Sequence, residues 1–126
     1  MIKFLRKDDR GAAVVEMALA LPVLLTFIYG IFQLGVIFAA NAGMQHALGE
    51  GARYATLYPA PSDTQIKDKM SAKLFGTKVG TFAVADPTGT ANYKDLQVSY
   101  TVTPNFLFFK LPSITLVRTK RVYLSF

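Results

Sequence analysis

Cysteine and tryptophan are absent from this 126-residue sequence, and histidine occurs once. Without cysteine, the chain forms no disulfide and offers no thiolate to a metal ion. The single histidine, His46, has no nearby Cys, Asp or second His with which to form a catalytic triad or a metal site. The aspartates 63, 68, 86 and 95 show no paired-carboxylate pattern. We therefore expect no enzyme, with no catalytic residue, no cofactor site and no metal site.

Acidic residues are scarce, because eight Asp and Glu stand against 14 Lys and Arg, for a net charge of +6. Three of the basic residues, Arg118, Lys120 and Arg121, form a short run near the C-terminus. A nucleic-acid surface usually places aromatic side chains among such charges, and this run has none on its own face. We therefore expect a solvated strand there and no nucleic-acid partner.

Charge is missing altogether from residues 17–40, which are 24 consecutive residues rich in Leu, Ile, Val and Phe. About 20 residues suffice for a helix to cross a bilayer, so this run predicts a membrane span and lipid contact. The preceding basic leader, residues 1–11, carries four basic residues, whereas the fifteen or so residues after the span contain one basic residue, Arg53. The positive-inside rule then predicts a cytoplasmic N-terminus and an extracytoplasmic C-terminal domain.

Two residues in the apolar run are unusual for a simple anchor. Glu16 lies at its beginning, where a carboxylate in hydrocarbon costs a few kcal/mol unless it has a partner or a task. Arg10 is one candidate partner, in an ion pair at the membrane edge. Pro22 removes a backbone donor and predicts a kink or local loosening of the helix.

Small residues recur at every fourth position beyond the middle of the run. We name this series the small-residue ladder: Gly35, Ala39, Gly43, Ala47, Gly51 and Ala55. Such spacing allows helix backbones to approach closely, above all in membranes. We expect Pro22, Gly35, Ala39 and Gly43 to serve helix packing between subunits, while the later positions serve either that contact or the protein's own domain. The helix is predicted over residues 12–57, ended by Pro59 and Pro61.

Residues 58–126 predict a small extracytoplasmic α+β domain. Ser62 and Gln65 form a capping-box pattern for a helix of about 13 residues that stops at Gly76, with an Asp63–Lys67 pair on its surface. Apolar residues then alternate with polar ones over residues 96–103, as in a half-buried strand. Further strands are predicted at 81–85 and 114–126, with a turn at 86–90. The apolar stretch 106–111 is expected to pack over the sheet, and a surface for a partner is the alternative. The fold class is α+β, with a small, mostly antiparallel sheet.

The segment from Gly11 through Glu16 to Pro22, the long apolar helix and the Gly-Glu-Gly-Ala-Arg-Tyr-Ala sequence at 49–55 resemble the TadE-like pseudopilins. These proteins belong to tight-adherence (Flp) pilus systems, in the type IV pilin superfamily. The likeness is strong over residues 6–55 and holds only in outline beyond them. Pilins proper often have an aromatic residue after the glutamate, where this chain has Met17.

The resemblance implies a structural role. It implies that a prepilin peptidase cuts between Gly11 and Ala12, and that Glu16 guides assembly with other pilins or with further copies of the chain. The location implied is the inner membrane, with the domain on the periplasmic side, or an extracellular pilus used in adhesion. Two alternatives remain at this point. One is a single-pass anchored binding or adhesion module, and the other is a secreted protein cut after Ala42 of the Ala-Asn-Ala sequence at 40–42.

Overall fold

The computed structural model describes residues 9–76, 79–106 and 110–125, with side chains from Gly11 onward. Its elements follow in the order expected, with two helices before the strands. They are α1 (Asp9–Ala55), α2 (Asp63–Lys73), β1 (Thr81–Val84), β2 (Thr88–Gly89), β3 (Tyr93–Val102) and β4 (Ile114–Tyr123). The four strands pair antiparallel in one sheet. The predicted α+β class, with a long first helix and a short second one, is confirmed.

Helix α1 differs from its predicted bounds at both ends. It begins at Asp9, three residues earlier than expected, and ends at Ala55, two residues earlier than expected. The helix is unbroken at Pro22, where the Thr26 hydroxyl donates a hydrogen bond of 2.8 Å to the Pro22 carbonyl oxygen. At the C-terminal end, the backbone N–H of Leu57 donates to the Tyr54 oxygen at 3.1 Å, in a turn that closes the helix.

The core lies where the upper half of α1 meets α2 and the sheet. From α1 it takes residues that recur every four positions, which places them along one side of the helix. They are Ala40, Met44, Leu48 and Ala52. Ile66 and Met70 of α2 pack against this side, together with four alternating residues of β3, Leu96, Val98, Tyr100 and Val102. The alternation predicted for β3 is thus confirmed as burial of one face of the strand.

Helix α2 begins as its sequence predicts. The Ser62 hydroxyl accepts from the Gln65 N–H, and the Gln65 side chain accepts from the Ser62 N–H at 2.9 Å, so the capping box is formed. The helix ends at Lys73 and is therefore shorter than expected. Leu74 is extended, which takes the chain out of the helix before Gly76.

The predicted Asp63–Lys67 pair on α2 is wrong. Lys67 Nζ instead lies 2.8 Å from Asp86 Oδ1, and Asp63 Oδ1 lies 2.9 Å from Lys94 Nζ. Both charges have turned to partners on the sheet side, because α2 packs against the domain and brings those partners within reach. Such solvated pairs contribute little stability, so burial rather than charge holds α2 in place.

Strand β3 is the centre of the sheet. It pairs with β4 along one edge over ten residues, and with both β1 and β2 along the other edge. Two strands are shorter than predicted, since β1 ends at Val84 and β4 at Tyr123. The predicted turn at 86–90 contains β2. Gly89 has φ of +140°, and a Cβ there would lie 2.3 Å from the Tyr93 oxygen, so only glycine permits this close pairing.

Two arginines of the basic run in β4 form hydrogen bonds with other parts of the domain. Arg118 Nε donates to Asn41 Oδ1 of α1 at 2.8 Å. Arg121 forms two hydrogen bonds with Asp95, at 2.7 and 2.8 Å. The hydrogen-bonded Arg121 guanidinium lowers the pKa of Asp95. The pair is therefore intact above the usual titration range of a carboxyl group, and it is lost as the pH falls and Asp95 becomes protonated.

Candidate membrane and assembly segment

The lower part of α1 is exposed on all sides. Residues 11–28 are exposed apart from the half-buried Thr26, and most of them are large and apolar. The helix from Gly11 to Ala55 is long and apolar enough to cross a membrane; its most apolar 18-residue window has a mean hydropathy of 2.2 and is 17% buried. A helix that is apolar on every side and is not covered by its own protein needs another apolar environment. This is consistent with a membrane-anchored protein.

The predicted span at 17–40 consists of two different parts. Its lower residues are free on all sides, whereas from Tyr29 upward one side of α1 is covered by the domain. Gln33, Val36 and Ala40 are buried at 6%, 3% and 0% exposure. The free stretch, residues 11–28, has a length of about 27 Å at 1.5 Å per residue. That length matches the roughly 30 Å hydrocarbon core of a bilayer.

Glu16 lies within this free stretch. Its neighbours on the helix surface are apolar, among them Leu19 and Ala20. Within the described part of the chain, Glu16 has no hydrogen bond or ion pair. Its predicted partner Arg10 has a side chain outside the described residues. The carboxylate is therefore presented on an apolar surface, where a cationic partner from outside would stabilise it.

Gly11 and Ala12 lie in the first turn of α1, and both are exposed. A Cβ on Gly11 would have no atom of the described residues within 4 Å, so these residues leave the 11–12 peptide bond uncovered. A peptidase that cuts this bond has to open the first helical turn. Glycine makes that opening easier because it is the poorest helix former apart from proline.

The small-residue ladder divides into an open lower end and a buried upper end. Gly35 is exposed with no atom within 4 Å of its Cβ position, and Ala39 is half-buried. Ala47 and Ala55 are buried in the domain. A Cβ on Gly51 would lie 2.3 Å from Cγ of Met70.

Gly43 was expected to lie in a contact between subunits, but it faces a segment of its own chain. A Cβ on Gly43 would lie 1.7 Å from the carbonyl oxygen of Phe75, which follows α2 in the same chain. The segment leaving α2 crosses α1 directly over this glycine, so the absence of a side chain serves packing inside the protein.

Phe106, which belongs to the apolar stretch 106–111, contacts α1. Its ring lies edge-on to Tyr29, with 6.2 Å between the ring centroids, and Cε1 is 3.5 Å from a Cβ position on Gly30. The stretch was expected over the sheet, and residues 107–109 lie outside the described residues. Sequence reasoning also missed Gln33, although it is the one Gln, Asn or charged residue at positions 17–40 and its isolation was a usable signal.

His46 is exposed on α1, and its ring lies 5.4 Å from that of Phe75. Among residues 9–76, 79–106 and 110–125, no group of three His, Cys, Asp or Glu side chains could hold a metal ion. The expectation that the protein is not an enzyme rests on the sequence alone.

Comparison with known proteins adds one finding, and it concerns α1. Neither the curated proteins nor the solved structures contain a significant match to the chain. The match that was found covers about a third of the sequence and coincides with the helix, leaving α2 and the sheet outside it. Residues 11–53 match the model of the family described as TadE-like protein, which confirms the resemblance predicted from the sequence and shows that α1 is similar to the helix of that family.

Proposed function

We propose that this protein is a pilin-like subunit of a Tad (Flp) pilus system, cut by a prepilin peptidase between Gly11 and Ala12 and assembled through α1. The TadE-like match indicates a component associated with such a pilus. The observation that carries the finer proposal is the free stretch of α1, which is apolar on all sides and presents one carboxylate, Glu16, that has no partner among the described residues. This surface suits two environments in turn, the bilayer before assembly and the helices of other subunits after it.

Cleavage supplies the cation that Glu16 lacks. It creates an α-amine on Ala12, which is protonated below a pKa of about 8. Within one chain the amine and the carboxylate lie one helical turn apart, so a pair formed there would leave subunits unlinked. A pair between the amine of one subunit and Glu16 of its neighbour neutralises both charges in an apolar setting and sets the axial offset of the two helices.

Processing is tested by substitution of the residue before the cut. Gly11→Leu is expected to abolish cleavage, because the bulky side chain blocks entry of the backbone into the peptidase and strengthens the first helical turn. Membrane insertion is expected to be unchanged, since the free stretch keeps its apolar length. The measurement is the mature mass and first residue of the protein, coexpressed with a prepilin peptidase.

Gly35→Leu is the matched control, because Gly35 is an exposed helical glycine away from the cut. It should be processed normally to begin at Ala12. A mature mass for Gly11→Leu equal to that of the unmodified protein would contradict the cleavage proposal. An unmodified protein that begins at Met1 would favour a permanently anchored module, and one that begins at Gly43 would favour secretion.

Assembly is tested at Glu16. Glu16→Ala is expected to reduce copurification of two differently tagged copies, or of a partner pilin, by about 100-fold or more. Removal of one member of a buried ion pair costs about 3–5 kcal/mol, since the other charge is left unpaired. The monomer should insert at least as well as before, because the substitution removes a charge from the apolar run.

Glu50→Ala is the control, because Glu50 lies on the same helix beyond the free stretch and pairs with Arg53 at 3.3 Å. It should leave copurification unchanged. The pair with the new amine is tested by combining Glu16→Ala with Gly11→Leu, since without cleavage the loss of Glu16 should have little further effect. Equal copurification of Glu16→Ala and Glu50→Ala would show that Glu16 is only a charge at the membrane edge.

A further inference from the structure

A long apolar groove runs between α1 and the loop that joins β3 to β4. Its volume is about 790 Å³, and its α1 side extends over residues 22–37. The opposite side is formed by Pro104, Phe106, Leu111 and Ile114. None of the described residues that line it is charged. We name it the α1–loop groove, and its lower part lies at the depth of the free stretch.

One polar side chain in this groove lacks a partner. Gln33 is 6% exposed and lines the groove, and among the residues that the structure describes its amide has no hydrogen bond. A buried amide without a partner is costly, and native proteins rarely leave one in that state. An occupant of the groove that offers a hydrogen-bond acceptor would remove this cost, so Gln33 points to a ligand that is apolar with a polar group at one end.

The depth of Gln33 indicates which polar group that is. With residues 11–28 in the hydrocarbon core, the backbone of Gln33 lies about 7 Å above the end of that stretch. Helical side chains lean toward the N-terminus, which brings the amide closer to the hydrocarbon boundary. From Gln33 down to Pro22 the groove measures about 16 Å, of which the lower part, about 9 Å below residue 28, lies within the hydrocarbon core.

A cation lies on the loop side of the groove. Lys110 precedes the groove residue Leu111, is exposed, and has no ion pair within the described part of the chain. The loop ends are held together there by an Asn105–Lys110 bridge and by a 3.2 Å hydrogen bond from the Leu111 N–H to the Pro104 oxygen. An apolar groove, an amide donor near the boundary and a cation on the loop side match an acyl chain, an ester and a phosphate.

We propose that the α1–loop groove binds one glycerophospholipid from the extracytoplasmic leaflet. One acyl chain lies along α1 from Gln33 toward Pro22, its ester carbonyl accepts a hydrogen bond from the Gln33 amide, and its phosphate lies near Lys110. This inference rests on the membrane orientation in the proposed function. It adds a lipid that accompanies the subunit, beyond the lipid that surrounds any membrane helix.

A helix from a second copy fits the groove less well. Its backbone groups are already paired internally, so it has no free main-chain acceptor for Gln33. An ester carbonyl has no internal partner and is available to the amide.

The test uses the full-length protein in vesicles of phosphatidylethanolamine and phosphatidylglycerol that contain a trace of phosphatidylglycerol with a photoactivatable acyl chain. After illumination, mass spectrometry is expected to find the label concentrated on residues 30–37 and 110–117. Gln33→Leu is expected to reduce this label about three- to tenfold, which is the factor contributed by one hydrogen bond. Gly30→Leu is expected to abolish it, because the new side chain fills the groove.

Gln45→Leu is the matched control, since Gln45 is exposed on the same helix outside the groove, and its label should equal that of the unmodified protein. Equal labelling of Gln33→Leu and Gln45→Leu, or label spread evenly along residues 11–28, would overturn the proposal. So would an unlabelled groove in which a cysteine at position 34 crosslinks to α1 of a second copy. The N-terminal mass of the same samples reports processing at Gly11, so failure of the lipid site and failure of the proposed function are read separately.

Discussion

Gly43→Ala is expected to destabilise the contact between α1 and the rest of the domain by about 3 kcal/mol or more, at the upper end of the range for overpacking. The added Cβ would lie 1.7 Å from the Phe75 oxygen and 2.8 Å from the Phe75 carbon. Both atoms belong to the backbone, so no side-chain rotation relieves the clash. Either the segment after α2 or α1 itself has to move, and the neighbouring core would be disrupted with it.

Two other ladder glycines provide the controls. Gly35→Ala places its methyl group in open space and should stabilise α1 slightly, by up to about 1 kcal/mol, through helix propensity. Gly51→Ala meets the Met70 side chain, which is flexible, and its effect should lie between the other two. The measurement is denaturant unfolding in detergent, followed by the near-ultraviolet circular dichroism of the tyrosines. If Gly43→Ala and Gly35→Ala unfold at the same midpoint, the close crossing of α1 by residue 75 is incorrect.

Leu48→Ala is expected to lower the free energy of unfolding by about 2–5 kcal/mol. Leu48 is 1% exposed and belongs to the core shared by α1, α2 and β3. Its truncation removes apolar burial and leaves a cavity that the rigid sheet and the two helices fill only in part. A domain this small has little stability to lose, so a large fraction of the chains should have a disordered domain on an intact membrane helix.

Gln45→Ala is the control for this substitution, because Gln45 is exposed on the same helix, and a change within about 0.5 kcal/mol is expected. The same unfolding measurement separates the two variants, with limited proteolysis of the domain as a second readout. Since assembly is proposed to use the free stretch of α1, Leu48→Ala should still copurify with other subunits. Resistance to denaturant equal to that of Gln45→Ala would show that α1 does not contribute to the domain core.

The sequence was sufficient wherever a pattern of neighbouring residues determines the structure. The capping box at Ser62 was predicted because all of its groups lie within four residues. The burial of Leu96, Val98 and Tyr100 was predicted because side chains alternate across a strand. The TadE-like resemblance was predicted for the same reason, since it is carried by one continuous helix.

Long-range contacts were not predictable in this way. Asp63 and Lys67 have helix spacing for a pair, yet each finds a partner on the sheet side, 31 and 19 residues away along the chain. Arg118 belongs to a basic run in the sequence, yet it bonds Asn41, 77 residues away. The choice among such partners depends on how α2 and β4 pack on α1, which no local pattern contains.

By itself, then, the sequence determined the two helices, three of the four strands, the uncharged run at 17–40 and the positions of Gly11 and Glu16, because these follow from composition and short-range periodicity. The tertiary structure decided how the faces of α1 are used. The ladder reads as one uniform series, yet the domain covers Gly43, Ala47, Gly51 and Ala55 and leaves Gly35 open. Gln33 became buried beside a groove only because the β3–β4 loop reaches down to Gly30. A helical period identifies which residues share a side, whereas the docking of distant segments determines what each side meets.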